Sequence, residues 1–371
     1  QHRVSNTGNM EMYVVTNREV IEGESSFDQF GKRPNNKGPN ELRLAEVVKR
    51  GTRWSVTFLD DELEQAEVEQ LKDEFQLAID PAVTHYASLR VACDLARSAR
   101  DRKRHVLFYI HGYNNDMKDV IGTAHYLENR YGVDVFAFSW PADGGGVSGT
   151  FNYKSDKRDA RASAGALDRV LAISFRYFKL ITEARRLELY EKARKKFPEK
   201  AEVREDLYVR LLEKDCPFTV NALFHSMGNY LLKQVLKSTS SEGNHLLFDN
   251  VILCQADANN LEHDLWVDQI RFRNRLYVTI NEDDYALRAS RAKAGSEQLA
   301  RLGHYVRNLT SRNAHYINFT DASWVKSSHS PFAKPAEKND EVFEFFAKAF
   351  SGGSPEAGLR YFPEGNFFAL R

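Results

Sequence analysis

Apolar and polar residues along this 371-residue chain change period several times, and the changes mark out its elements. Two early runs, 12–17 (MYVVTN) and 54–59 (WSVTFL), are β-type and lie either side of a Gly/Asn/Pro-rich loop at 31–40. They predict two strands paired as an antiparallel N-terminal edge. Helical spacing follows over 61–77 and 81–100, the second predicted to open with Pro81, where a missing N–H costs little. Beyond it, β-rich runs occur at 105–110 (HVLFYI), 133–140 (VDVFAFSW), 219–224 (TVNALF), 250–255 (NVILCQ), 275–280 (RLYVTI) and 316–320 (YINFT). Nearly all are separated by helix-length segments. Such alternation predicts an α/β fold with a mainly parallel central sheet and helices on both faces.

One stretch interrupts the alternation. Residues 181–214 are densely charged, and Val203, Leu207 and Leu211 recur at helical spacing, which predicts two helices broken at Pro198. This helical insertion is read as a solvated face, a lid, or a docking arm for a protein partner or self-association. The expected organisation is an N-terminal part, 1–104, whose strands and helices join a catalytic core at 105–371 containing the insertion. No internal repeat is present.

Composition narrows the classes. At 42% hydrophobic and 12% aromatic residues the chain can fill a sizeable core, which argues against disorder. Lys+Arg and Asp+Glu both total 52, so no charge excess points to nucleic acid or to an anionic membrane. The absence of any run of 18 apolar residues predicts no transmembrane segment, and no secretory signal is visible. Cys93, Cys216 and Cys254 are odd in number and far apart, which suits buried thiols in a reducing, cytoplasmic setting and matches neither zinc-site nor disulfide spacing.

The chemistry concentrates at 219–232, TVNALFHSMGNYLL, where Ser226 stands at the hinge between a β-type run and an apolar helix. A strand turning at once into a helix forces the hinge residue into a sparsely populated conformation and exposes its hydroxyl beside helix N–H groups. Gly228 is the small residue this turn needs. Phe224 departs from the usual G-x-S-x-G pattern, in which glycine stands two positions before the serine.

A serine hydroxyl needs a base, the base an orienting carboxylate, and the developing oxyanion two donors. Downstream of Ser226, Asp257 closes the run NVILCQAD, and the pair Asp283 and Asp284 follows RLYVTI. Asp284 is the favoured acid, because it lies in the loop after the penultimate strand, with Asp257 the alternative. Asp283 reads as a solvated neighbour, or as the acid with Asp284 behind it. Of His304, His315 and His329, His315 precedes a strand and is expected to pack there, whereas His329, in the loop SSHSP after the last strand, can reach the strand ends as base. His225 faces away from Ser226 by strand alternation and is given a structural role. The expected oxyanion donors are the N–H groups of Met227, at the helix N-terminus, and Tyr113, in the run HGYNN where Gly112 lets the backbone turn.

With these motifs in hand the chain resembles the α/β hydrolases, and within them a bacterial group of lipase- or esterase-like hydrolases of unknown function. The resemblance is carried by TNR (16–18), HGYNN (111–115), FSWP (138–141), YKSDKRDARAS (153–163), HSMGNYLL (225–232), DDYALR (283–288) and HSP (329–331), and it spans most of 12–350. By position it implies Ser226 as nucleophile, Asp284 as acid and His329 as base. Phe224 and the insertion depart from the pattern. The expectation is a serine hydrolase acting through an acyl-enzyme on an ester or related acyl bond of a small or lipid-like substrate, with no metal or organic cofactor. An inactive interaction module on the same fold and a serine peptidase or amidase are the alternatives.

Overall fold

The computed structural model describes residues 10–142, 149–215, 218–238, 242–292 and 300–371. Cys216 lies outside them. Thirteen strands run in chain order as Met10–Thr16 (β1), Arg18–Val20 (β2), Phe30–Pro34 (β3), Arg43–Arg50 (β4), Arg53–Phe58 (β5), Val106–Ile110 (β6) and Asp134–Ser139 (β7). Val220–His225 (β8), Phe248–Cys254 (β9), Phe272–Ile280 (β10), Ala314–Asn318 (β11), Arg360–Phe362 (β12) and Phe367–Ala369 (β13) complete the series. Eleven of them form one sheet in the order β12-β13-β11-β10-β9-β8-β6-β7-β1-β4-β5, while β2 and β3 pair separately. From β13 to β1 every neighbour is parallel; β4, β5 and β12 add antiparallel margins.

The predicted alternation is therefore present, with two differences at the N-terminus. The 12–17 and 54–59 runs do not pair with each other, because β4 lies between them, and β1 is an interior strand running parallel to β7. The sequence RLAEVVKR conceals β4 by alternating charged residues with Ala45 and Val47, which are buried. Nor does a helix open at Pro81. Residues 80–83 form a turn in which the Asp80 carboxylate accepts the Ala82 N–H at 2.9 Å, and the helix begins at Ala87.

Helices cover both faces. Ala87–Arg102, Ala164–Lys196 and Met227–Lys237 pack on one side and Met117–Tyr131 with Asp340–Phe350 on the other, each over a continuous apolar layer. Both faces of β6 and β8 are thus covered, and every residue of these two strands is buried rather than every second one. After β6 the chain moves to β7 on one side and later returns to β8 on the other. This makes the crevice beyond the carboxyl ends of β6 and β8 a switch point of the sheet, where α/β folds bind ligands.

Helix Ala164–Lys196 begins at that same rim, where Asn17 Nδ2 donates to Ser163 Oγ at 2.9 Å. It ends beyond the opposite one. Phe178 meets Phe218 at 6.5 Å between ring centroids, and Ile181, Thr182 and Arg185 share a cavity of 490 Å³ with Val220, Asp249 and Arg273 at the amino ends of β8–β10. The chain breaks at Pro198 and returns through Ala201–Asp215. The stretch 181–214 thus projects from the amino side of the sheet. A lid over the carboxyl ends is not where it is found.

Candidate active site

Ser226 sits between β8 and helix Met227–Lys237 with φ 55° and ψ −120°, a conformation that costs on the order of 1–3 kcal/mol for a residue bearing a β-carbon. Several bonds hold it there. The Ser226 N–H donates to the Cys254 carbonyl at 3.0 Å and the Asp257 N–H to the Ser226 carbonyl at 3.1 Å. The buried Asn229 amide donates to the carbonyls of Phe224 (2.9 Å), Ser226 (3.1 Å) and Cys254 (3.3 Å), pinning the turn from within the helix. Phe224 is accommodated because its ring points into the layer under the helices, among Leu171, Leu232 and Phe248. Glycine at 228 has a different reason from the one expected: a β-carbon there would lie 2.9 Å from the carbonyl oxygens of both Ile110 and His111, so the helix can close on β6 only without one.

The loop after β6 is laid directly over the serine. The register that pairs Ile110 with Phe224 brings Gly112 level with Ser226, and a β-carbon on Gly112 would stand 2.7 Å from Ser226 Cβ. His111 fixes the next peptide. Its Nε2 accepts the Trp140 N–H at 3.1 Å, so Nδ1 carries the proton and donates to the Gly112 carbonyl at 2.7 Å. Because the peptide is trans, the Tyr113 N–H points away from that carbonyl and from His111. The imidazole stacks on Trp140 with ring planes 4° apart, and burial, with the Arg18 guanidinium, pushes its pKa down to about 3.

Arg18 joins the other motifs to this loop. It is fully buried and donates to Ser139 Oγ (2.9 Å) and to the carbonyls of Asn115 (2.8 Å), Ala142 (3.1 Å) and Gly31 (3.3 Å). Asp156 accepts the Asn114 N–H at 2.9 Å. The runs TNR, FSWP and YKSDKRDARAS, far apart in sequence, therefore meet on HGYNN. Nothing in the spacing of Arg18 or Asp156 disclosed this.

Of the three candidate carboxylates, Asp284 alone meets a histidine. Its Oδ2 accepts from His329 Nδ1 at 2.7 Å and from Gln255 Nε2 at 3.3 Å, while Oδ1 caps helix Tyr285–Arg291 by accepting the N–H groups of Ala286 (2.9 Å) and Leu287 (3.0 Å). The carboxylate is held on both oxygens, and the His329 ring is left with Nε2 on the side away from Asp284. Asp257 is instead engaged by Arg301 Nε at 3.1 Å and Ser290 Oγ at 2.7 Å, and Asp283 pairs with Arg288 at 3.5 Å in an exposed position. His315 lies in β11, and His304 is buried near Asp284 with its pKa lowered chiefly by burial.

His225 ties β8 to the His329 loop. Its Nε2 donates to the His329 carbonyl at 2.8 Å, the two rings lie 4.8 Å apart, and burial, followed by the neighbouring His329, holds its pKa down at about 3. Ser226 Oγ and His329 Nε2 are both buried, and neither has a hydrogen-bond partner. The serine–histidine bond is not formed in this structure.

The model of a family described as α/β hydrolase of unknown function (DUF900) matches residues 91–180 and 190–342. The gap between the two matches falls within helix Ala164–Lys196, at the start of the projecting stretch. No curated protein and no solved structure matches the chain.

Proposed function

The chain belongs to this family of α/β hydrolases, and from that premise we propose that it is a serine hydrolase cleaving a carboxylic ester or related acyl bond through an acyl-enzyme. The observation that carries the proposal is the pair of buried, unbonded atoms, Ser226 Oγ and His329 Nε2, the first on a strained turn and the second on a ring fixed by Asp284. Catalytic hydrogen bonds are often long or poorly aligned before substrate binds, and an open Oγ and Nε2 are what such a site brings to its substrate.

In the first half-reaction Nε2 takes the Ser226 proton as Oγ attacks the acyl carbon. Asp284, bonded to Nδ1–H, stabilises the imidazolium that forms. The oxyanion is received by the N–H of Met227, which as the first helical residue has no intrahelical acceptor, and by the N–H of Tyr113, whose peptide is aimed by His111. Collapse returns the proton from Nε2 to the leaving alcohol. Water then repeats the sequence on the acyl-enzyme, restoring Ser226 and releasing the acid.

A cytoplasmic location belongs to this proposal. Among the described residues no helix is long and apolar enough to cross a membrane. The lid role for 181–214 is dropped on its position, and a docking role for that stretch stays with the proposal.

The decisive experiment is covalent labelling of the wild-type protein and Ser226→Ala with a fluorophosphonate probe. Labelling of wild type alone is expected. Equal labelling of both removes the nucleophile assignment, and labelling of neither in folded protein points to an interaction module.

A further inference from the structure

One margin of the large sheet is blunted and the other is not. At the first, β12 has three residues, opens on the exposed Arg360 and runs into Pro363, a short, charged and proline-stopped edge of the kind that resists pairing with another chain. At the second, β5 has six residues, and from Trp54 to Leu59 the chain carries neither a charge nor a proline. Its register with β4 runs unbroken from Phe58 opposite Ala45 to Arg53 opposite Arg50, so no bulge turns the edge aside. Among the described residues no strand lies beyond it.

The same register tells which backbone groups of β5 face outward. The Leu59 N–H donates to the Leu44 carbonyl at 2.9 Å, and in an antiparallel pair such inward bonds fall on every second residue. Arg53, Ser55 and Thr57 therefore bond β4, while Trp54, Val56 and Phe58 direct their N–H and C=O groups to the open side. The segment Ser26–Phe30 meets this strand through rings, Phe27 on Trp54 at 5.9 Å and Phe30 on Phe58 at 5.2 Å, and among the described residues supplies it with no backbone partner.

The strand also matches itself. Trp54-Ser55-Val56-Thr57-Phe58 reads aromatic, hydroxyl, aliphatic, hydroxyl, aromatic in either direction. A two-fold axis at Val56, with a second copy antiparallel to the first, sets Trp54 opposite Phe58 and Ser55 opposite Thr57 on both sides of the axis. Charge obeys the same axis. Arg50 and Arg53 are exposed at the turn that opens the strand, and Asp60, Asp61 and Glu62 are exposed past its end, so the basic turn of each copy arrives at the acidic run of the other.

We infer that the chain forms a two-fold dimer through β5, which joins two sheets edge to edge. A second copy is the partner that fits, because the apolar, hydroxyl and charged positions complement themselves. The contact is isologous and the opposite margin is blunted, so the assembly closes at two chains. The strands β6, β7, β1 and β4 separate β5 from β8, and the inference stands apart from the proposed chemistry.

The test is sedimentation velocity of the full chain over about 1–100 µM, where an interface at the small end of the range dissociates. Wild type is expected to pass from monomer to dimer as concentration rises. Val56→Pro removes an outward N–H that β4 does not use, a change that edge strands accept, and should stay monomeric throughout. Ser55→Lys with Thr57→Lys sets lysine against lysine across the axis and should weaken the dimer about tenfold or more, whereas Ser55→Lys with Thr57→Glu sets opposite charges face to face and should keep it. These two doubles alter the same exposed positions, so the comparison between them reads the register and not the fold. A wild type that is monomeric at every concentration, equal association of the two doubles, or growth beyond a dimer overturns the inference. Dissociation by Leu187→Glu while the Val56→Pro protein stays dimeric gives the contact to 181–214 and overturns it as well.

Discussion

The two ends of the sheet are built on different physics. At the carboxyl ends, strained backbone, buried charge and long-range hydrogen bonds converge within a few residues of Ser226: Arg18 reaches 97 positions to Asn115, and His225 reaches 104 to the His329 carbonyl. At the amino ends, 181–214 is a pair of helices whose charges pair locally, Arg185 with Glu188 and Arg194 with Glu191, in half-exposed positions. Interactions of the second kind are worth ~0.5 kcal/mol each at most, whereas an unsatisfied buried partner of the first kind costs about 1–3 kcal/mol. The rim is therefore rigid and intolerant. The arm should accept change freely.

The largest effects should come from the rim. Ser226→Ala should lower turnover of p-nitrophenyl butyrate by at least about 10⁴-fold with an unchanged thermal midpoint, and Asp284→Asn should do nearly as much, because triad members act as a unit. Retention of more than a few per cent of activity by Asp284→Asn would return Asp257 to consideration. Next in size is Gly112→Ala, whose β-carbon must displace either Ser226 or the loop above it. Turnover should fall about 100- to 1000-fold, the loss expected for one misplaced oxyanion donor, and little change in kcat would detach this loop from the chemistry.

Arg18→Met sharpens the contrast by touching no substrate. It strands the part-buried carbonyl of Asn115 and the buried one of Ala142, so both the midpoint of urea unfolding and kcat should drop, by about 1–3 kcal/mol in stability. Lost stability with unchanged kcat would make Arg18 a scaffold residue only.

Acid should unfold the rim first. His111 and His225 have native pKa values of about 3 against an ordinary 6.5, so the native state binds fewer protons than the unfolded one between those values. Their contribution to stability is complete above about pH 6.5 and is lost as pH falls toward 3. His225→Asn should flatten part of the decline in thermal midpoint between pH 6.5 and 4; an unaltered slope would show that His225 is not kept neutral by burial. The smallest effect belongs to the arm. Leu187→Glu, at an exposed position, should change stability by no more than about 0.5 kcal/mol and leave ester turnover alone, and if the arm docks a second copy it should shift the sedimentation of concentrated protein toward monomer.

The sequence by itself determined the alternation of strands and helices and the hinge at Ser226, because both are written in local periodicity and in a turn that only a few residue types tolerate. It favoured Asp284 by its place along the chain but kept Asp257 and Asp283 open, because all three follow strand ends. Loop packing sets the three apart, giving Asp257 to Arg301 and Asp283 to Arg288 while Asp284 caps a helix and bonds His329. Tertiary structure alone likewise made β4 the partner of β1, sent 181–214 to the end of the sheet away from Ser226, and joined Arg18, His111 and Asp156 on the loop above that serine. Each of these depends on which distant segments are brought side by side, and a buried donor far along the chain leaves no period or spacing around the acceptor it will find.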